Sequence, residues 1–188
     1  TADPGYVLSA AYVTARELRD LGCTMNFAPV LDLYPEADRT IIGDRALGAD
    51  PEIVAELGIA YLKGARLGGI IPVIKHFPGH GSSTVDSHGR LPVVDLPEEA
   101  LLQRDFLPFV KAIEAGAEAL MTAHIQFPQI DPEYPVTLSR VFLHDLLRRQ
   151  FGFRGVVVSD GMAMGALSRN FTVRDSLLRQ LTGGVDLI

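Results

Sequence analysis

Three histidines, a lysine and an aspartate fall within the stretch Lys75–His88. It opens as Lys75-His76-Phe77-Pro78-Gly79-His80-Gly81 and continues through Ser82-Ser83-Thr84-Val85 to Asp86-Ser87-His88. Asp86 and His88 are two residues apart. In an extended segment, side chains at i and i+2 point the same way. The carboxylate can then hold one imidazole nitrogen and leave the other to exchange a proton near neutral pH. This is the outer half of a catalytic triad without its serine. Taken alone, Asp-x-His is a common pair. A metal site is the competing reading. His76 and His80 are four apart, but Pro78 and Gly79 between them forbid the helix that would put both on one face. No metal and no organic cofactor is assigned.

Farther along, Val156-Val157-Val158-Ser159-Asp160-Gly161-Met162 presents an aspartate at the end of an apolar run. An isolated aspartate there is usually a turn or cap residue. Arg45, in Thr40-Ile41-Ile42-Gly43-Asp44-Arg45, reads by itself as a surface arginine.

The elements that position these residues alternate. Asp3-Pro4 and Asp50-Pro51 each give a helix cap followed by proline in the first turn. The helices they open run from Gly5 to Leu21 and from Pro51 to the Gly68-Gly69 stop. Helices are also expected over Asp105–Ala115 with Asp105 as cap, from Ser139 to about Gln150, and over Thr172–Leu181. Between them lie apolar runs: Met25–Leu33 (ending in Pro29, Asp32 and Pro35), Ile70–Ile74, Ala119–Ala123, Gly155–Ser159 and a last one from Val185. Five all-apolar strands separated by helices imply a parallel α/β sheet. Asp32, Lys75-His76, His124 and Ser159-Asp160 cluster at the ends of different strands. A (β/α)8 barrel converges all such ends on one site, whereas a doubly wound sheet relies mainly on its switch point. No G-x-G-x-x-G phosphate loop follows any strand. A full barrel takes roughly 250 residues. The 188 residues are therefore expected to be a single, incomplete (β/α)8 domain with about five parallel strands.

Composition excludes several classes. The chain is 47% hydrophobic with a net charge of −6. There is no basic stripe for nucleic acid or an anionic membrane surface. The one cysteine, Cys23, rules out an intrachain disulfide or a cysteine zinc cluster and is expected to be buried. No apolar run is long enough to span a bilayer. The opening residues lack signal-peptide architecture, so a cytoplasmic location is expected. A secreted or lipid-anchored parent remains open, because both ends look cut.

The run Lys75–Gly81, followed by Asp86-Ser87-His88 and Leu91-Pro92, resembles glycoside hydrolase family 3, and within it the bacterial β-N-acetylhexosaminidases of peptidoglycan recycling. Four further stretches follow in the family's order: Asn26–Asp32, Ile42–Pro51, Met121–His124 and Val158–Met164. Family β-glucosidases typically lack the Asp-Ser-His element and take their acid/base from another domain. The resemblance implies a retaining hydrolase of terminal β-linked N-acetylglucosamine. Asp160 would be the nucleophile and His88 the acid/base, oriented by Asp86. Arg45, Lys75, His76, His124 and Met164 would contact the sugar. The substrate would be an N-acetylglucosamine-containing glycan or muropeptide. The sequence departs from many members at Ser82 and Gly161, and begins after the family's Asp-x-Glu-Gly-Gly-Arg segment. The alternatives are a glycoside phosphorylase or β-glucosidase of the same family, or an inactive, truncated sugar-binding barrel.

Overall fold

The computed structural model describes residues 3–33, 42–83 and 85–188. Pro35, Thr40, Ile41 and Thr84 of the sequence reading lie outside them. Both Asp-Pro starts form as expected. Asp3 Oδ1 accepts from the Gly5 amide at 2.8 Å and opens helix α1, Pro4–Asp20. Asp50 accepts from the amides of Glu52 and Ile53 and opens α2, Pro51–Leu67. These carboxylates satisfy first-turn donors that no helix carbonyl can reach.

Strands β1 (Met25–Asn26), β2 (Ile71–Phe77), β3 (Ala119–Thr122) and β4 (Val156–Val158) pair in that order, all parallel. Helix α3 (Glu98–Leu102) and α4 (Leu107–Glu114) lie between β2 and β3. A π-helix, Val141–Gln150, precedes β4. Helices α5 (Gly165–Ser168) and α6 (Val173–Gly183) follow it. This is an arc of a (β/α)8 barrel.

Both faces of the sheet are covered, which explains why the strands read as continuous apolar runs. Ile74, Phe77, Leu120 and Val157 face the helices and join Leu62, Phe109, Phe142 and Leu147 in the main core. Val73, Ala119, Met121 and Val158 form a second, smaller cluster on the other face. Successive strand residues therefore enter different cores, as period-two side-chain alternation requires.

The structure corrects the sequence reading in four places. The fifth strand is reduced to a single parallel bridge, Val158 to Leu187. The run Met25–Leu33 is not one strand. It pairs at Met25–Asn26 and again only through a bridge from Val30 to Lys75, because Pro29 between them has no amide to give to a ladder. Asp105 does not cap α4: Phe106 holds that position without a side-chain bond, and the Asp105 carboxylate accepts from Ser82 Oγ at 2.6 Å instead. Cys23 is half-buried rather than enclosed. Ser139, by contrast, does serve the helix after it, accepting from the Phe142 amide at 3.2 Å. Thr172 caps α6 in the same way through the Asp175 amide.

Helices α1 and α2 are packed almost backbone to backbone. A methyl group built on Gly64 would lie 2.2 Å from the Leu8 carbonyl oxygen and 2.9 Å from Ala11 Cβ. One built on Gly68 would lie 2.4 Å from Ala15 Cβ. Gly64→Ala should therefore force the helices apart. Its gain in helix propensity is worth only about 1 kcal/mol, against an overpacking cost of about 1–3 kcal/mol. A lower denaturant midpoint with an unchanged slope is expected; an unchanged or raised midpoint would show that the seam can relax.

Candidate active site

Asp32 follows the Val30 bridge and is completely buried. Its carboxylate accepts from the His76 amide at 3.2 Å, from His76 Nδ1 at 2.6 Å and from the His80 amide at 2.7 Å. Burial pushes its pKa up, but the charges and hydrogen bonds of His76 and His80 outweigh this and hold it below the usual carboxylate value. Because a carboxylate can only accept, His76 Nδ1 bears a proton. The sequence marked Asp32 as a polar strand end and gave it no role. Its enclosure by three donors depends on a segment more than forty residues away.

Strand β2 delivers two neighbours to one site. Ile74 pairs with Leu120, and the next pair is Phe77 with Thr122, so β2 has one extra residue against β3. A regular strand would send Lys75 and His76 to opposite faces. With the bulge, both line the same cavity. Lys75 is half-buried. Burial and the nearby Arg45 push its pKa down, while Asp160 and Asp32 act in the opposite sense. The peptide bonds Ala28-Pro29, Lys75-His76 and Phe77-Pro78 are cis.

Asp86 and His88 do pair, but through a turn rather than an extended segment. Asp86 Oδ1 accepts from the His88 amide at 2.9 Å and from His88 Nδ1 at 2.8 Å. Nδ1 therefore bears a proton, and Nε2 is free to exchange one. Both side chains are well exposed. The His88 amide holds the Asp86 carboxyl below its ordinary pKa; burial opposes it, and the His88 ring adds to the lowering.

Asp160 follows β4 after Ser159. Its Oδ1 accepts from the Gly161 amide at 2.7 Å, and its carbonyl accepts from Ser159 Oγ at 2.7 Å. Asp160, Arg45, Lys75, His76, Asp86 and His88 all line one cavity of about 150 Å³, together with Ile42, His80 and Ser87. Six of the eight site residues read from the sequence thus converge. A larger hollow of about 370 Å³, between Tyr134, Arg140 and Arg179, contains none of them.

The other two do not reach the cavity wall. His124 is fully buried and both ring nitrogens are engaged, Nδ1 with Thr137 Oγ1 at 2.8 Å and Nε2 with the Gly161 carbonyl at 3.1 Å. That carbonyl can only accept, so Nε2 bears the proton. Burial pushes the His124 pKa down, although Asp160 opposes it. His124 therefore braces the peptide after Asp160 and does not line the cavity. Met164 is half-buried at the start of α5, where it packs beside Gly161. The sequence reading weighs His80 only as a metal ligand and gives Ser87 no role of its own. His80 is buried, its pKa pushed down by desolvation against the pull of Asp32, and its Nε2 lies 3.4 Å from Ser87 Oγ. Among the described residues, no three histidine, cysteine, aspartate or glutamate side chains are grouped to hold a metal ion.

The model of the glycosyl hydrolase family 3 N-terminal domain matches residues 1–188. The chain belongs to this family. It is 41% identical over 178 residues to a β-hexosaminidase of Xanthomonas oryzae pv. oryzae, covering 95% of this chain and 52% of that protein. It is 35% identical to β-hexosaminidase A of Pseudoalteromonas piscicida, covering 97% of this chain and 32% of the relative. The solved family 3 β-N-acetylglucosaminidase of Paenibacillus sp. str. FPU-7 superposes with a TM-score of 0.95 at 40% identity, over 99% of this chain and 36% of that one. The chain thus spans about a third to about half of these relatives' length.

The Asp32 network predicts a pH effect of definite sign. Its folded-state pKa lies below the unfolded one. Its stabilisation is therefore present above about pH 4, where an unfolded aspartate is ionised, and is lost as pH falls through the folded value. Asp32→Asn removes the charge that three buried donors meet, and a hydrogen bond to a charged group is typically worth about 1.5–3 kcal/mol, so a loss of at least that size is expected. Urea unfolding of both forms should show that gap near pH 6 and a shrinking gap toward pH 3. A gap independent of pH would place the stabilisation elsewhere.

Proposed function

We propose that this domain provides the catalytic face of a retaining β-N-acetylhexosaminidase that removes terminal β-linked N-acetylglucosamine, with muropeptides among its natural substrates. The supporting observation is that Asp160 and the Asp86–His88 pair open onto one cavity with Arg45, Lys75 and His76. The names of the relatives, β-hexosaminidase and β-N-acetylglucosaminidase, point the same way.

In this reading Asp160 attacks the anomeric carbon and forms a glycosyl ester, while His88, entering as the imidazolium with its Nδ1–H held by Asp86, gives its Nε2 proton to the departing oxygen and becomes neutral. In the second step neutral His88 takes a proton from water, which displaces Asp160. Asp86 keeps the ring in one tautomer and orientation, as the carboxylate of a triad does. Most retaining glycosidases use two carboxylates. With an imidazole in place of one, the proton donor beside the ionised nucleophile is a cation, whose charge is opposite to that of Asp160. Lys75 and Arg45 supply hydrogen-bond donors to sugar hydroxyls and the acetamido group, His76 offers Nε2 as an acceptor to a hydroxyl, and contacts that tighten at the transition state raise the rate.

The test uses the full-length protein. Asp160→Ala should lose activity on every substrate. His88→Ala should fall by about a hundred- to ten-thousand-fold on a disaccharide, whose leaving group needs a proton. On an activated aryl N-acetylglucosaminide it should retain glycosylation and show a burst of aryl alcohol followed by slow turnover, which a small anionic nucleophile accelerates. Equal losses on both substrates, without a burst, would make His88 a binding residue and defeat the assignment.

A further inference from the structure

We propose that Gly165 is a positioning residue for His88, and that the segment after Asp160 is the seat on which the acid/base loop rests. This depends on the reading of Asp160 and His88 given above. The Gly165 amide donates to the His88 carbonyl at 3.1 Å, and the Ala166 amide donates to the Ser87 carbonyl at 3.1 Å. Both donors belong to the first turn of α5, where no helix carbonyl is available to them. The contact is close enough to demand a glycine. A methyl group at position 165 would lie 2.5 Å from the Gly89 carbonyl oxygen and 2.7 Å from that of His88. These are backbone atoms and cannot swing aside as a side chain could. Gly165 is needed for approach and not for conformation, since its backbone angles are ordinary.

The arrangement joins the two reacting groups mechanically. Asp160 leaves β4, its following peptide is held by His124 at Gly161, and the Gly161 carbonyl also accepts from the Met164 amide at 3.1 Å. The next residue is Gly165, which holds His88. The base of the loop is fixed separately, by Asp32 at the His80 amide and by Asp105 at Ser82. The α5 seat refers the loop's tip to the nucleophile.

Four full-length proteins test this: wild type, Gly165→Ala, His88→Ala and the double variant. Each is assayed on a disaccharide and on an activated aryl N-acetylglucosaminide. Gly165→Ala should lose roughly a hundredfold on the disaccharide, the low end of general acid–base help, and only a few-fold on the activated substrate. The double variant should be no slower than His88→Ala, since residues acting through one group are not additive. Ser168→Ala, at the exposed end of the same helix, should leave both rates unchanged. If His88→Ala shows the leaving-group split but Gly165→Ala loses equally on both substrates, or loses nothing, the seat is refuted while the assignment of His88 stands. If His88→Ala shows no split, that assignment itself fails. Should Gly165→Ala not fold, hydrogen exchange on the wild-type protein decides. Slow exchange at the Gly165 and Ala166 amides supports the seat, and free exchange at both overturns it.

Discussion

The buried carboxylate of Asp32 is the interaction around which the site is organised. It gathers two backbone amides and one imidazole from the end of β2 and the turn after it. A completely buried charge survives only when its lone pairs are met by donors, and here the donors all come from one short segment. Meeting that demand fixes where His76 and His80 lie, and so sets the direction in which the loop toward Asp86 leaves the sheet. The charge thus acts on the site through geometry: it needs no contact with substrate to decide which groups can have one.

The bulge in β2 solves a second geometric problem. Strand alternation would waste one of two adjacent functional side chains, and one extra residue against β3 lets Lys75 and His76 share the cavity. The remaining loop residues are placed by backbone contacts. Gly79 and Gly81 lie against Asp105 and Leu33 so closely that a Cβ on either would fall 2.7 Å or 2.9 Å from a backbone oxygen. Glycine in this loop therefore brings backbones together. The outcome is a mobile-looking sequence, rich in small residues, with many fixed points in the folded chain.

His124 shows how a strand-end residue can brace a site without lining its cavity. Its burial keeps the ring neutral, and a neutral ring with its Nε2 proton on the Gly161 carbonyl is a fixed spacer behind Asp160. Thr137 meets the opposite nitrogen and donates to the Ala123 carbonyl or to the ring, so the brace extends into the loop after β3. Residue type and position along a strand could not distinguish such a brace from a sugar contact, since both require a polar group at the same end of the sheet.

The sequence by itself determined the alternation of strands and helices, the capped helix starts at Asp3 and Asp50, and the identity of the groups that could do chemistry. These depend on local rules: periodicity, the chemistry of Asp-Pro, and polar residues where apolar runs stop. It also paired Asp86 with His88, because two residues so close in sequence can meet whether the segment is extended or turned. Only the tertiary structure decided that Asp32 organises the site, that His124 stands behind it, that Asp105 serves Ser82 and not α4, and that Gly165 receives His88. Each of these depends on which atoms from distant segments compete for one donor or one acceptor. Such competition is settled by three-dimensional distance, on which spacing along the chain is silent.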